Sequence, residues 1–363
     1  MEGTANKSKQ EKYIKKMLQV GCEMNAPVFG VFELTGRCNF NCKMCYVHTM
    51  DQKRALKNEL TTEQWLTILD EAFKEGLMFA VLTGGECLLR EDFKELYLHL
   101  WNKGVIISIN TNGYFVDASY VDFFKKYPPR RIQISLYGTN DDEYYEITGR
   151  RAFDRVAATL KSLHEAGINI KVAVTPCKQS LGFCSKIMQY AYNSDYEFGF
   201  GELILSPHSG IERDDYSITA EEIVELLCER ERIFGKELTP IPREKLPKPG
   251  QSLEIREPEK YRCYAGKCRY CITWRGKMVP CVAIESIEAE PLNVGFIAAW
   301  KEISCKMGQV TMPEKCLHCD YRAVCSPCPI ARHKDLETNE ANPMQCKLTM
   351  LKCEKGISTV HTT

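Results

Sequence analysis

No stretch of this 363-residue chain is long and apolar enough to cross a bilayer. Its opening, MEGTANKSKQEKYIKKMLQV, is polar and charged and lacks the apolar core of a secretory signal. Net charge is missing too: 48 Lys and Arg balance 48 Asp and Glu, with no basic run fit to line a nucleic-acid groove and no acidic tail. Internal repeats and low-complexity tracts are absent. These absences exclude a membrane-spanning chain and argue against a nucleic-acid partner. They predict a cytoplasmic protein.

Two things are present in quantity. The hydrophobic fraction of 44% is enough for a sizeable buried core. There are also 19 cysteines, an odd number, in a chain with no export signal. In a reducing compartment such cysteines are poor disulfide partners and good metal ligands. They are clumped as well: three fall within Cys38–Cys45, and eleven fall between Cys263 and Cys353 inclusive.

The hydrophobic pattern predicts strands at Val28–Leu34, Phe79–Thr83, Val105–Asn110, Arg131–Leu136, Ile168–Thr175 and Glu202–Leu205. Helices are predicted between them. One opens on a Thr61-x-x-Gln64 capping box and buries Trp65, Leu69, Ala72 and Phe73. Others cover Asp92–Lys103, Ala118–Tyr127, Phe153–Ala166 and Leu181–Asn193. Alternating strands and helices mean parallel strands with crossover helices. Six strands predict an α/β fold of the open, partial (β/α)6 TIM-like barrel kind, with ligands at the C-terminal strand ends. The expected layout is an N-terminal extension over 1–27 and the barrel over 28–207. A bridge over 208–260 follows, with a helical piece near Glu221–Phe234, then a cysteine-rich domain over 261–353 and a tail over 354–363. The cysteine-rich part is short and poor in apolar residues, so bound metal is expected to staple it.

The segment TGRCNFNCKMCY places Cys38, Cys42 and Cys45 in CxxxCxxC spacing just after the first strand. Thiolates are soft ligands for iron–sulfur clusters or zinc. Three of them leave a four-iron cluster with one position open, as a reactive centre requires. The other reading is a zinc knuckle with a remote fourth ligand. The motif resembles the radical S-adenosylmethionine (radical SAM) signature, whose open iron chelates the amine and carboxylate of SAM. Later strand ends resemble the same family. Gly84, Gly85 and Glu86 match its GGE motif, in which glycines allow close backbone approach to a ligand and Glu86 would accept from the SAM ammonium. Asn112, in TNG, and Ser135, in ISLYG, match elements near SAM. The resemblance further suggests Met44 or Tyr46 beside the adenine, Ser135 at the SAM carboxylate with Arg150 as the basic residue that often follows that serine, and Leu203 packed on the adenine. Asn112 serving a turn, Arg150 as a surface charge and Leu203 as a core residue are the bland readings.

The second set runs Cys263, Gly276-x4-Cys281, Cys316-xx-Cys319-x5-Cys325-xx-Cys328, then Cys346. It resembles the SPASM domain, a C-terminal extension with two auxiliary 4Fe–4S clusters. The resemblance gives the first cluster Cys263, Cys281 and Cys328, with Cys268 or Cys271 as the fourth ligand. It gives the second Cys316, Cys319, Cys325 and Cys346. The family has three residues between the last two cysteines of its run where this chain has two, between Cys325 and Cys328. Cys353 is not expected to ligate. Cys22, Cys87, Cys177, Cys184, Cys228 and Cys305 are expected as small buried hydrophobes. A pair of zinc ribbons is the alternative for the whole domain.

The resemblance implies SAM and three 4Fe–4S clusters as cofactors, SAM cleavage to a 5′-deoxyadenosyl radical, and hydrogen abstraction from a substrate. That substrate would be a ribosomally made peptide that is crosslinked, epimerised or oxidised. A flavodoxin- or ferredoxin-type donor would supply the electron. A separate leader-peptide-binding protein is a further expected partner, because a winged recognition domain has no room before Val28. Val282 stands where anaerobic sulfatase maturases carry an Asp, which removes that branch's general base. His208, just beyond the predicted sixth strand, is a candidate acid/base. The competing classes are a dehydrogenase of a small metabolite and a non-catalytic iron–sulfur or zinc scaffold.

Overall fold

The structure is a computed structural model. It describes residues 2–47, 52–201, 216–242, 246, 261, 263–325, 328 and 341–357, with side chains from residue 12 onward and, in the second stretch, from residue 55. Among the described residues no helix is long and apolar enough to cross a membrane.

A helix α1 (Glu2–Glu23) precedes β1 (Phe29–Glu33). Then come α2 (Gln52–Asn58), α3 (Thr62–Lys74), β2 (Phe79–Thr83), α4 (Phe93–Asn102), β3 (Ile106–Thr111), α5 (Ala118–Lys126) and β4 (Arg131–Ser135). The barrel continues with α6 (Asp141–Thr148), α7 (Phe153–Glu165), β5 (Ile170–Val174), α8 (Leu181–Asn193), β6 (Glu197–Phe200) and α9 (Ala220–Ile233). The cysteine-rich part contributes β7 (Arg269–Ile272), β8 (Met278–Val279), α10 (Pro291–Val294), α11 (Phe296–Gly308), α12 (Glu314–Leu317) and α13 (Pro343–Lys355).

Strands β1 to β6 are parallel neighbours in sequence order, as the alternating pattern predicts. The sheet nevertheless has eight strands, because β7 pairs parallel to β1 and β8 pairs antiparallel to β7. The α/β reading therefore holds, with the cysteine-rich segment continuing the barrel sheet rather than only following it. That segment also has more apolar anchorage than its composition suggests. Tyr270, Phe296 and Trp300 are fully buried in the same core as the barrel helices, with Tyr270 edge-on to Phe296 at 5.2 Å. Aromatic burial of this size is worth a few kcal/mol per ring, so metal is not the segment's sole support.

The strand paired with β5 is Glu197–Phe200; the predicted strand Glu202–Leu205 lies outside the described residues. Contacts across the fold hold EFGF in place. Glu197 pairs with Arg131 of β4 at 3.1 Å, while Phe198 stacks on Phe234 at 5.9 Å. The capping box at Thr61 is present, and α3 buries Trp65, Ile68, Leu69 and Ala72. Phe73 does not join them; it stays exposed beneath the Lys103 ammonium.

Candidate active site at the end of strand β1

The loop carrying Cys38, Cys42 and Cys45 leaves β1 at the C-terminal edge of the sheet and is held from several directions. Two glycines after β2 do this first. A Cβ on Gly84 would sit 2.3 Å from the Thr35 carbonyl oxygen, and one on Gly85 would sit 2.3 Å from that of Arg37. The Gly85 amide donates to Thr35 O at 2.8 Å, and the Glu86 amide donates to Arg37 O at 2.8 Å. The sequence reading had the glycines admit a ligand. What they visibly admit is the backbone of the cysteine loop itself, packed where no side chain fits.

Glu86 is fully buried. Its Oε1 accepts from Thr111 Oγ1 at 2.7 Å and from the Leu88 amide at 3.0 Å; its Oε2 accepts from the Asn112 amide at 2.7 Å. Burial pushes its carboxyl above the usual range, and these donors pull partly against that. Asn112 then reaches the loop: its Nδ2 donates to Asn39 Oδ1 at 2.7 Å and lies 3.8 Å from Cys38 Sγ. The Phe40 amide also points at Cys38 Sγ, at 3.4 Å. On the far side the loop docks on the end of α6, through Asn41 N to Thr148 O at 2.8 Å and Lys43 N to Ile147 O at 3.1 Å.

A charged network lies beneath. Glu59 accepts from Thr35 Oγ1 and from Arg37 Nε at 2.9 Å and Nη2 at 3.1 Å. Arg90 Nη1 lies 3.8 Å from the same carboxylate and donates to the Leu34 and Leu60 carbonyls at 3.2 and 3.0 Å. Asp92 holds the other edge of Arg90. The sequence reading missed Asn39, Glu59 and Arg90. No motif marks them, since Glu59 is 22 residues from its partner Arg37.

The three motif cysteines are mutual electrostatic neighbours. Burial pushes the Cys38 thiol up to about 12, with Glu86 and Cys45 adding to the rise. Burial and the nearby Cys45 and Cys38 push Cys42 well above the ordinary thiol range. Neutral, buried soft donors on one loop suit a ligand set that gives up its protons to a metal centre, although among the described residues no three Cys, His, Asp or Glu side chains already stand close enough together to hold a metal ion.

The remaining candidates fall in different places. Met44 is buried against Ile147 and Cys177, beside Cys42. Tyr46 is hydrogen-bonded to Glu33 of β1, with Cys271 of β7 nearby, so its hydroxyl is already engaged. Ser135 ends β4 close to the Tyr137 hydroxyl, and its carbonyl accepts from Tyr144 at 3.2 Å. Arg150 is exposed and stacks over the Tyr114 ring at 5.5 Å, and Tyr114 meets Phe40 of the cysteine loop edge-on at 5.9 Å. Leu203 and His208 lie outside the described residues.

The later cysteines form two neighbourhoods. Cys316, Cys319, Cys325 and Cys346 are electrostatic neighbours of one another. Cys263 neighbours Cys281, Cys268 neighbours Cys263, and Cys281 also neighbours Cys271. Cys268 and Cys271 point apart, because Cys268 packs under α1 whereas Cys271 joins Val31 and Val279 on the barrel side of β7. Cys353 is buried on α13. Of the cysteines expected as buried hydrophobes, Cys87, Cys177, Cys184 and Cys228 are buried, but Cys305 is exposed and Cys22 is half-buried. Helical position decides this: Cys305 lies on α11 off the face that buries Phe296, Ala299, Trp300 and Ile303.

Residues 32–177 match the Radical SAM superfamily. The chain is 24% identical over 322 residues to the AdoMet-dependent heme synthase of Methanosarcina barkeri (strain Fusaro / DSM 804), covering 84% of this chain and 91% of that protein. It is 26% identical over 202 residues to the antilisterial bacteriocin subtilosin biosynthesis protein AlbA of Bacillus subtilis (strain 168), covering 53% of this chain and 44% of that one. In fold it is similar to Streptococcus suis SuiB bound to S-adenosylmethionine, with a TM-score of 0.68 at 17% identity over 88% of this chain and 78% of that one.

Proposed function

We propose that this chain, which belongs to the radical SAM superfamily through residues 32–177, modifies a ribosomally made peptide by hydrogen abstraction at a side chain or Cα. The observation that carries the radical SAM reading is that Cys38, Cys42 and Cys45 share one short loop, within electrostatic reach of one another, that is pinned by Asn112 and the Gly84-Gly85-Glu86 turn. The donor set fits a four-iron cluster: three soft thiols at the C-terminal edge of a parallel sheet, with the fourth position left to SAM. When bound there, the cluster supplies the electron that splits SAM.

The chain's own residues then have defined work. In this reading Glu86, whose Oε2 accepts from the Asn112 amide, would also accept from the SAM ammonium. Met44 forms an apolar wall beside Cys42 for the adenine. Ser135, at the end of β4, would meet the SAM carboxylate, and Arg150 and Leu203 would supply further cofactor contacts. His208 is the acid/base candidate. Two auxiliary clusters complete the reading. One is held by Cys316, Cys319, Cys325 and Cys346; the other is held among Cys263, Cys268, Cys271, Cys281 and Cys328. A flavodoxin- or ferredoxin-type protein donates the electron, and a separate protein binds the peptide leader.

The peptide reading is supported by AlbA, whose name assigns it to subtilosin biosynthesis. It is tested by adding candidate peptides encoded beside this gene. A substrate stimulates 5′-deoxyadenosine formation and loses two hydrogens in mass, or gains deuterium from deuterated buffer if it is epimerised. A second reading has a specific observation in its favour: the relative that this chain spans over 91% of its length is a heme synthase. Under that reading an iron tetrapyrrole stimulates 5′-deoxyadenosine formation and peptides do not. A stimulating polyol would point to the small-metabolite dehydrogenase instead.

A further inference from the structure

The helix α1 brings a thiol to the first auxiliary site that the SPASM pattern does not contain. Cys22, near the end of α1, lies with its sulfur 2.6 Å from that of Cys268, although the two are 246 residues apart. Either thiol could donate to the other across that contact. The approach is built in. A Cβ on the neighbouring Gly21 would meet a Val28 methyl at 2.6 Å, so a larger residue there would push Val28 aside, and Cys268 Cβ lies at ordinary contact distance, 3.4 Å. The turn after α1 is fixed from the other side, where Trp300 Nε1 donates to Asn25 O at 3.0 Å and Ser304 Oγ donates to Asn25 Oδ1 at 3.0 Å.

Cys22 also shares a cavity of about 810 Å³ with Cys263, bordered by Lys15, Lys267 and Lys301. Cations around paired thiols offset the charge of thiolate ligands. Cys263 in turn neighbours Cys281. The end of α1 thus touches the turn before β7 through Cys22 and Cys268, and the Cys263 of that turn feels the charge of Cys281 after β8. The chain also departs from the family spacing at Cys328, which follows Cys325 after two residues instead of three.

We propose that Cys22 is a ligand of the first auxiliary iron–sulfur cluster, beside Cys263, Cys268 and Cys281. This rests on the reading that the cysteine-rich segment holds auxiliary clusters. It gives α1 a purpose: the helix is tied to the metal site, and each thiol releases a proton when it ligates.

The test is anaerobic reconstitution of the full chain with iron and sulfide, for wild type, Cys22→Ala, Cys22→Ser and Cys305→Ala. Iron, acid-labile sulfide, zinc, the EPR spectrum and midpoint potentials are measured, with far-UV circular dichroism as the folding control. Cys305 lines the same cavity and serves as the bystander thiol. The expected result is about twelve irons in wild type, about four fewer in Cys22→Ala, and an altered g-tensor or potential in Cys22→Ser. Cys305→Ala should match wild type. Wild-type iron, spectrum and potential in both Cys22 variants overturn the inference and leave the auxiliary clusters standing. Equal loss in Cys305→Ala overturns it too, since any thiol of the cavity would then do the same. So does a Cys22–Cys268 peptide two hydrogens light after anaerobic purification, which would make the pair a disulfide. About four irons with bound zinc in wild type removes the auxiliary reading and the inference together.

Discussion

The Glu86 carboxylate accepts the backbone amide of Asn112 at 2.7 Å, and Asn112 in turn reaches the cysteine loop. One buried acid thus fixes the ends of β2 and β3 together and, through them, the position of Cys38. Glu86→Ala leaves the Thr111, Leu88 and Asn112 donors without their acceptor. It should destabilise the protein by about 3 kcal/mol in denaturant titration and weaken SAM binding in calorimetry. A change in stability below about 0.5 kcal/mol would show that the buried carboxylate is not structural.

Glu59 gathers Thr35, Arg37 and Arg90 under the same loop. Removing one partner of a buried ionic network typically costs about 3–5 kcal/mol. Glu59→Gln should therefore lower the unfolding midpoint and also reduce iron retention at the SAM site, read by EPR of the reduced, SAM-bound cluster. Normal stability and a normal spectrum would remove Glu59 from the support of the loop.

Burial raises the thiols of Cys38 and Cys42 above the ordinary value of 9.0, Cys38 to about 12. Between about pH 9 and 12 the folded apoprotein therefore binds more protons than the unfolded chain. Its stability should fall as pH rises through that window and be fully present below it. Loading iron and sulfide removes those protons, so proton release on reconstitution should be measurable by pH-stat at neutral pH. An apoprotein whose stability is flat across the window would contradict the burial of these thiols.

Cys346 sits among Cys316, Cys319 and Cys325, whereas Cys353 is buried on the same helix two turns on. Cys346→Ala should lower the iron content and destabilise the C-terminal segment. Cys353→Ala should leave iron unchanged. Iron analysis and thermal unfolding of the two variants settle it, and the opposite pattern would move the ligand to Cys353.

Five of the six barrel strands were legible within a residue or two because short apolar runs alternate with capped helices. The Thr61 box set the start of α3 as read. The cysteine motifs were legible because their spacing survives without any knowledge of packing. What escaped were relationships that exist only across the fold. Strand β7 pairs with β1 from 240 residues away in register, Phe29 with Arg269. Glu197–Phe200, which the pattern did not mark as a strand, is tied to β4 by the Arg131–Glu197 ion pair. Cys22 looks like an isolated thiol until α1 is laid against Cys268. Arg150, an ordinary surface charge in sequence, stacks on Tyr114 at the edge of the cysteine loop.

The central claim is that Cys38, Cys42 and Cys45 hold the cluster that cleaves SAM. The most direct measurement is 5′-deoxyadenosine released from SAM under dithionite by reconstituted wild type and by the triple Cys38→Ala, Cys42→Ala, Cys45→Ala variant, with iron counted in both. The account predicts release by wild type, and none by a triple variant that stays folded and keeps about eight irons. Continued release by the triple variant would contradict it.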